Sequence, residues 1–208
     1  MYIPHFFAEN DEASLLEFMR EFNFATVVTA ENDLPEATHL PFVIEKRDEK
    51  IVLLAHMAKA NLHWQQLAEK QVLVIFQEPH AYISPLLYQE KLNVPTWNYV
   101  AIHAYGTAKI FATAEENLLL LEKMIRTFDE NYFQTNWREI PDEYKLSWAR
   151  AIVAFEIEVT DLQGKKKLNQ NKGAEDAERV IKALEKSENT NERQIARFMK
   201  EIYDGKSE

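Results

Sequence analysis

Three stretches of this 208-residue chain group side chains whose types and spacing can do chemistry. In His56-Met-Ala-Lys-Ala-Asn61-Leu-His-Trp64 an apolar run gives way to a helical one. The Lys59 cation, the Asn61 amide and the N–H groups of a helix start would together hold a phosphate, because a helix N-terminus favours an anion. The same residues also read as a plain strand-to-helix turn, with Asn61 as cap and Trp64 as anchor. Pro95-Thr-Trp-Asn-Tyr99 sets an indole and a phenol beside an amide. That set offers a stacking surface and a donor to a planar heteroaromatic ligand, or it anchors a loop on the core. Gly164-Lys-Lys-Lys-Leu-Asn-Gln-Asn-Lys172 gathers four lysines and three amides. It reads as a solvated hairpin, or as a polar arm that reaches an anionic ligand held by a second subunit.

Other chemistries lack their residues. The six histidines (His5, His39, His56, His63, His80, His103) include no pair at the spacing of a zinc-protease helix, so no metal site is expected. With no cysteine there is no disulfide, no thiolate-held metal and no thiol nucleophile, which suits a reducing cytoplasm. The four glycines (Gly106, Gly164, Gly173, Gly205) are too scattered for a phosphate-cradling loop. Residues 1–160 carry 13 Lys and Arg against 24 Asp and Glu, whereas 161–208 are nearly balanced. An acidic body is poorly suited to gripping duplex DNA. Neither a signal peptide nor a membrane span is legible, so a cytoplasmic protein without membrane contact is expected.

These residues need elements to position them. Leu15, Leu16, Phe18, Met19 and Phe22 recur at helical spacing after Asp11. Phe24–Thr29, Ala37–Ile44 and Ile51–Ala55 read as three strands of an antiparallel meander, followed by a helix over 59–69 and a buried strand over 72–76. A loop over 85–95 leads to a long strand bent or bulged at Gly106. Thr113 and Glu116 form a capping-box pattern before a helix over 116–132. Residues 151–160 alternate, with Glu156 and Glu158 on one face and Phe155, Ile157 and Val159 on the other. Gly164 is read as a turn, and two charged helices cover 174–184 and 191–203. The class is α+β, with an antiparallel sheet expected to close into a small barrel.

Six motifs, in order and at familiar separations, carry a resemblance over nearly the whole chain: Met1-Tyr-Ile-Pro4, Thr38-His-Leu-Pro41, His56-Met-Ala-Lys-Ala-Asn61 with Trp64, Val74-Ile-Phe-Gln77 running into Pro79-His-Ala-Tyr-Ile-Ser84, Pro95-Thr-Trp-Asn-Tyr99 with His103-Ala-Tyr-Gly106, and Lys167-Leu-Asn-Gln-Asn171. The chain resembles the PaiB family. That resemblance implies an antiparallel split β-barrel of the pyridoxamine-phosphate-oxidase-like kind over 1–172, with a C-terminal helical extension over 173–208. It also implies FMN as cofactor, a homodimer with flavin at the subunit interface, and negative regulation of transcription in sporulation and protease production. Carried over residue by residue, it puts the FMN phosphate near His56, Lys59 and Asn61, and the ring near Thr38, His39, Trp97 and Asn98. Gln170 and Asn171 would close the site. The family usually has Ser at Asn169 and often Arg at Lys59 and Lys172, and Lys offers a point charge where Arg offers a fork.

Three roles follow: a flavin-responsive regulator acting on DNA or through another regulator, a flavin-dependent oxidoreductase on a small molecule, and a non-catalytic haem- or small-ligand-binding barrel in which His39, His56 or His103 would ligate. No helix-turn-helix pattern supports direct DNA binding.

Overall fold

The chain reverses in two residues at Asn32-Asp33, where φ is positive at both, 51° and 63°. Two such residues make the turn whose twist matches that of flanking strands, and Asn and Asp tolerate it. They link β2 (Phe24–Glu31) to β3 (Leu34–Pro41). A computed structural model describes residues 1–68 and 70–204. Its remaining strands are β1 (Ala8–Glu9), β4 (Val43–Arg47), β5 (Lys50–Ala58), β6 (Gln71–Ile83), β7 (Thr96–Ile110) and β8 (Ile152–Lys167). The α-helices among the described residues are α1 (Glu12–Glu21), α2 (Trp64–Leu67), α3 (Ala114–Phe128), α4 (Glu130–Thr135), α5 (Asp142–Arg150), α6 (Ala174–Glu185) and α7 (Thr190–Asp204).

The described residues divide into two units. The first comprises Leu16–Phe76 and His103–Leu162, the second Met1–Leu15, Gln77–Ile102 and the chain from Gln163 onward. In hydrogen-bonding order the antiparallel strands run β3-β2-β6-β7-β8-β5-β4, with β1 on β8. The two ends of this order, β3 and β4, are consecutive in sequence and separated by Phe42 alone. The path is therefore open, where the sequence pattern suggested closure: Pro41 has no N–H to give a ladder, and β4 pairs with β5 from Val43↔Leu54 onward. This is the split form of the barrel.

Phe42 holds the first unit across that step. Its side chain is fully buried, with ring centroids 6.0 Å from Phe76 and 6.4 Å from Phe155, and its N–H donates to the Asn23 carbonyl at 2.8 Å. Phe155 and Ile157 face this core while Glu158 on the same strand is exposed, as the alternation predicts. On the other side of β5, Val52 and Leu54 pack with Val43, Ala154 and the α3 residues Leu120 and Met124. The run Ile51–Ala55 is consequently buried at every residue. The predicted capping box forms at Thr113 and Glu116. The helix predicted over 116–132 is two, because Asp129 leaves helical geometry and its carboxylate accepts from the Tyr132 N–H at 2.8 Å. At Gly106 β7 continues, and a Cβ there would lie 2.3 Å from the Glu158 carbonyl oxygen.

In the second unit Gly164 is not a turn. It lies within β8, paired with Glu9, where a Cβ would lie 2.3 Å from Leu15 Cδ2. Helices α6 and α7 bury Val180, Ile181 and Leu184, and Ile195, Phe198 and Met199. Residues 205–208 of the expected extension lie outside the described residues.

Truncating Phe42 removes the packing at the edge-to-edge step. Phe42→Ala is expected to cost about 3–5 kcal/mol in urea unfolding, and Leu34→Ala, exposed at the start of β3, less than about 0.5 kcal/mol.

Candidate functional site

The first unit positions Thr38, His39, His56, Lys59 and Asn61. Between β5 and α2 the chain is a loop, tied by the Lys59 N–H to the Ala151 carbonyl (2.9 Å), the Asn61 N–H to the Ala58 carbonyl (2.9 Å) and the Trp64 indole N–H to the Lys59 carbonyl (3.2 Å). The helix predicted over 59–69 spans only Trp64–Leu67, and Glu69 lies outside the described residues. Four residues build no useful dipole, so the helix-start donors expected for a phosphate are not supplied there. Any anion contact falls to side chains.

A buried histidine organises the loop. His63 is fully buried and lies against the β2–β3 hairpin, with Nε2 2.9 Å from Thr29 Oγ1 and Nδ1 2.8 Å from Thr38 Oγ1. The hydrogen positions follow from one group. The Glu36 carboxylate accepts from Gln66 Nε2 at 2.6 Å, which turns Gln66 Oε1 toward Thr29. Thr29 therefore donates its hydroxyl hydrogen to Gln66 (2.7 Å) and must accept from His63, so Nε2 carries a hydrogen. In the neutral ring Nδ1 then accepts from Thr38, and Thr38 accepts from Asn61 Nδ2 at 3.2 Å. The far end agrees independently: Asn61 Oδ1 is occupied by the His63 backbone N–H at 3.1 Å, leaving Nδ2 to face Thr38. All donors thus point one way, from Asn61 through Thr38, His63, Thr29 and Gln66 to Glu36.

Lys59 and Arg150 both line an open cavity of ≈330 Å³ walled by Trp64, Phe111 and Ile152. Among the described residues neither cation has an ion pair or side-chain hydrogen bond, and both are exposed. Asn117 at its back is spent on the fold, with Nδ2 donating to the Ala149 and Ile152 carbonyls and Oδ1 accepting from the Ala154 N–H. The start of α3 is spent as well, since Glu116 accepts from the Ala112 and Thr113 N–H groups. Two free cations beside an indole suit an anion such as a phosphate. His56 is turned instead toward α3, with Nδ1 3.1 Å from Met124 Sδ, and His39 is exposed on β3.

The second unit carries Trp97, Asn98, Gln170 and Asn171. Trp97 and Asn98 follow one another on β7 and so face opposite ways. Trp97 is half exposed, 5.8 Å from both His80 and Tyr82, while Asn98 is fully buried, with no partner for Oδ1 among the described residues and Nδ2 only 3.5 Å from Met199 Sδ. Gln170 is committed to its own hairpin, donating to the Lys166 carbonyl and accepting from the Leu168 N–H; Asn171 is exposed. The lysines there are anchored: Lys165 over Tyr2 and Tyr99, Lys166 on Glu9, Lys167 on Thr96 and Lys172 on Asn93. Burial, then neighbouring Lys165, pushes the Lys167 ammonium below its ordinary value.

Sequence reasoning missed His63, Arg150 and Asn169. Arg150 belongs to no motif, and His63 lies inside the motif of Lys59 and Asn61 with nothing in its residue type to mark it. Asn169, buried at a φ of 65°, donates to the Tyr88 hydroxyl, and its carbonyl accepts from Tyr203. The residue type is the readable signal, since Asn adopts a left-handed φ more easily than most residues.

The sequence profile described as "Putative FMN-binding domain" matches residues 1–161. The chain is 39% identical to Protease synthase and sporulation protein PAI 2 of Bacillus subtilis over 97% of each chain. It is 30% identical to an uncharacterized protein of Emericella nidulans, covering 89% of this chain and 90% of that one. Among solved structures, the flavocytochrome Anf3 of Azotobacter vinelandii superposes with a TM-score of 0.62 at 14% identity, covering 78% of this chain and 70% of the other. The FAD and heme binding protein of Mycobacterium smegmatis gives 0.61 at 14%, covering 82% and 78%. At such identities the structural likeness speaks for the fold alone.

Burial holds His56, His63 and His103 below the ordinary imidazole value of 6.5, with Glu36 pulling His63 weakly the other way. The folded protein keeps these rings neutral, so on acidification the unfolded chain takes up protons first. The stabilisation is complete above about pH 6.5 and is lost as pH falls from there toward the depressed folded values. The Tm is expected to drop between about pH 7 and about pH 5, before ordinary carboxylates titrate. A flat Tm over that interval would contradict the assignment.

Proposed function

Because the chain belongs to this FMN-binding family, with FMN as its cofactor, we propose that Lys59 and Arg150 hold the FMN phosphate while Thr38 and Asn61 meet the flavin beside it. We further propose that the loaded protein is a cytoplasmic homodimer acting as a negative regulator of the sporulation and protease-production kind. The observation that carries the flavin placement is the cavity with two cations and no counter-charge among the described residues. These residues fit the group: a phosphate supplies the missing anion, and Arg150 supplies the forked donor that Lys59 lacks. Bound FMN brings the electron-transfer chemistry, and the chain's own residues bind and orient it. The regulatory role is supported by the near full-length likeness to the Bacillus subtilis protein, whose name joins protease synthesis to sporulation.

Regulation by direct duplex reading finds no support in the acidic first 160 residues. We place the action in a flavin-dependent contact with another regulator. A second reading, a flavin-dependent oxidoreductase, is favoured by the ordered polar chain behind Thr38, which would orient a flavin for hydride transfer.

Flavin fluorescence titration and duplex gel shifts test this. The parent is expected to bind FMN and to prefer it over riboflavin. Lys59→Ala and Arg150→Ala should each weaken FMN about 10–100-fold, the size of a charge-assisted contact, with riboflavin little changed. No operator-specific complex should form at about 150 mM salt. Equal affinity of the parent for FMN and riboflavin would overturn the phosphate assignment. A specific duplex complex would restore direct DNA binding, and rapid reduction by NADH or NADPH would favour the enzyme reading.

A further inference from the structure

We infer that His63 is a positioning residue that fixes Thr38 as a hydrogen-bond acceptor toward the ligand, so that this edge of the site selects a ring N–H. The inference rests on the reading above in which Thr38 meets the flavin. A threonine hydroxyl left to itself rotates and serves donor and acceptor alike. Here its hydrogen is committed to His63 Nδ1 at 2.8 Å, and one lone pair takes Asn61 Nδ2 at 3.2 Å. Only the second lone pair remains for a ligand. In oxidised flavin the single ring donor is the imide N–H of the pyrimidine edge, so that group is the one Thr38 is set to receive.

The commitment is enforced from behind. Thr38 cannot keep its hydrogen for the ligand unless Nδ1 gives up an acceptor role, and Nε2 already carries its hydrogen because Thr29 is spent on Gln66 and Gln66 on Glu36. His63 is fully buried and Thr29 nearly so, which blocks rescue by solvent. Among the described residues the charge acting on His63 is that of Glu36 on β3; β2, α2 and the intervening loop turn Thr29, Gln66 and Asn61, which do not titrate, toward the array, while Lys59 on that loop is exposed. Burial favours neutral His63 more strongly than Glu36 favours the cation. Protonation at Nδ1 would reverse the local order: the ring would donate to Thr38, and the Thr38 hydrogen would swing outward against the ligand's own N–H.

The test compares FMN with N3-methyl-FMN, in which that N–H is replaced, by fluorescence titration at several pH values. Both ligands carry the same phosphate, whose ionisation near pH 6 cancels in the ratio of affinities. At pH 8 the parent should prefer FMN by about tenfold, the value of one buried hydrogen bond. Thr38→Val should bring the ratio near one. Thr38→Ser, which keeps the hydroxyl, should restore it. In the parent the ratio should collapse on acidification below the ordinary histidine range, and in Thr38→Val it should be flat. His63→Leu should also flatten it; if that variant does not fold, the two Thr38 variants and the pH profile decide. FMN binding by the parent with a ratio near one throughout, or a preference unchanged in Thr38→Val, overturns this inference and leaves the flavin site standing. No FMN binding by the parent overturns both.

Discussion

A carboxylate accepts hydrogen bonds and cannot donate them, and in the first unit that restriction reaches well beyond Glu36. It turns the Gln66 amide, which takes the Thr29 hydrogen, which puts a hydrogen on His63 Nε2 and leaves Nδ1 to accept. Three separate pieces of chain, the β2–β3 hairpin, the loop after β5 and the short α2, are joined by this one sense of donation. Each member has a partner, and a network whose buried members, Thr29 and His63, are satisfied specifies one arrangement where an unsatisfied one would penalise all. The loop that carries Lys59 and Asn61 is held by this network together with its backbone bonds to Ala151 and Ala58, since the four-residue α2 is too short to hold it by helix formation.

The parts of this protein that were legible in the sequence are those in which neighbours along the chain do the work. Alternation along residues 151–160 put Phe155 and Ile157 inside and Glu158 outside, and Thr113 with Glu116 marked a helix start that forms as expected. Boundaries set by distant partners were not legible. Gly164 looks like a turn until Glu9 and Leu15 are seen to need its missing side chain, and the pattern after Asn61 looks helical until the hairpin captures His63.

The candidate site divides in the same way. Lys59 and Asn61 stand out because they sit two apart after a strand, but Arg150 shares a cavity with Lys59 from 91 positions further along the chain and carries no local mark. His63 sat inside the motif and was passed over, because burial and hydrogen-bonding partners, not residue type, separate an organising histidine from an ordinary one. The strand positions of Trp97 and Asn98 make the complementary point: adjacency in sequence places two side chains on opposite faces of a strand.

The step through Phe42 leaves β3 at one end of the hydrogen-bonded order, with no strand among the described residues on its other side. An open strand edge is ordinarily a template for another chain to add to, and so a hazard for self-assembly. Here Pro35 and Pro41 bracket Thr38, each opposite a β2 residue in the register. Neither has an N–H to offer outward. The threonine proposed to meet the flavin is thus carried on a strand open enough to reach yet short of two of its outward N–H groups, and the protection comes from residues that leave the β2–β3 pairing intact.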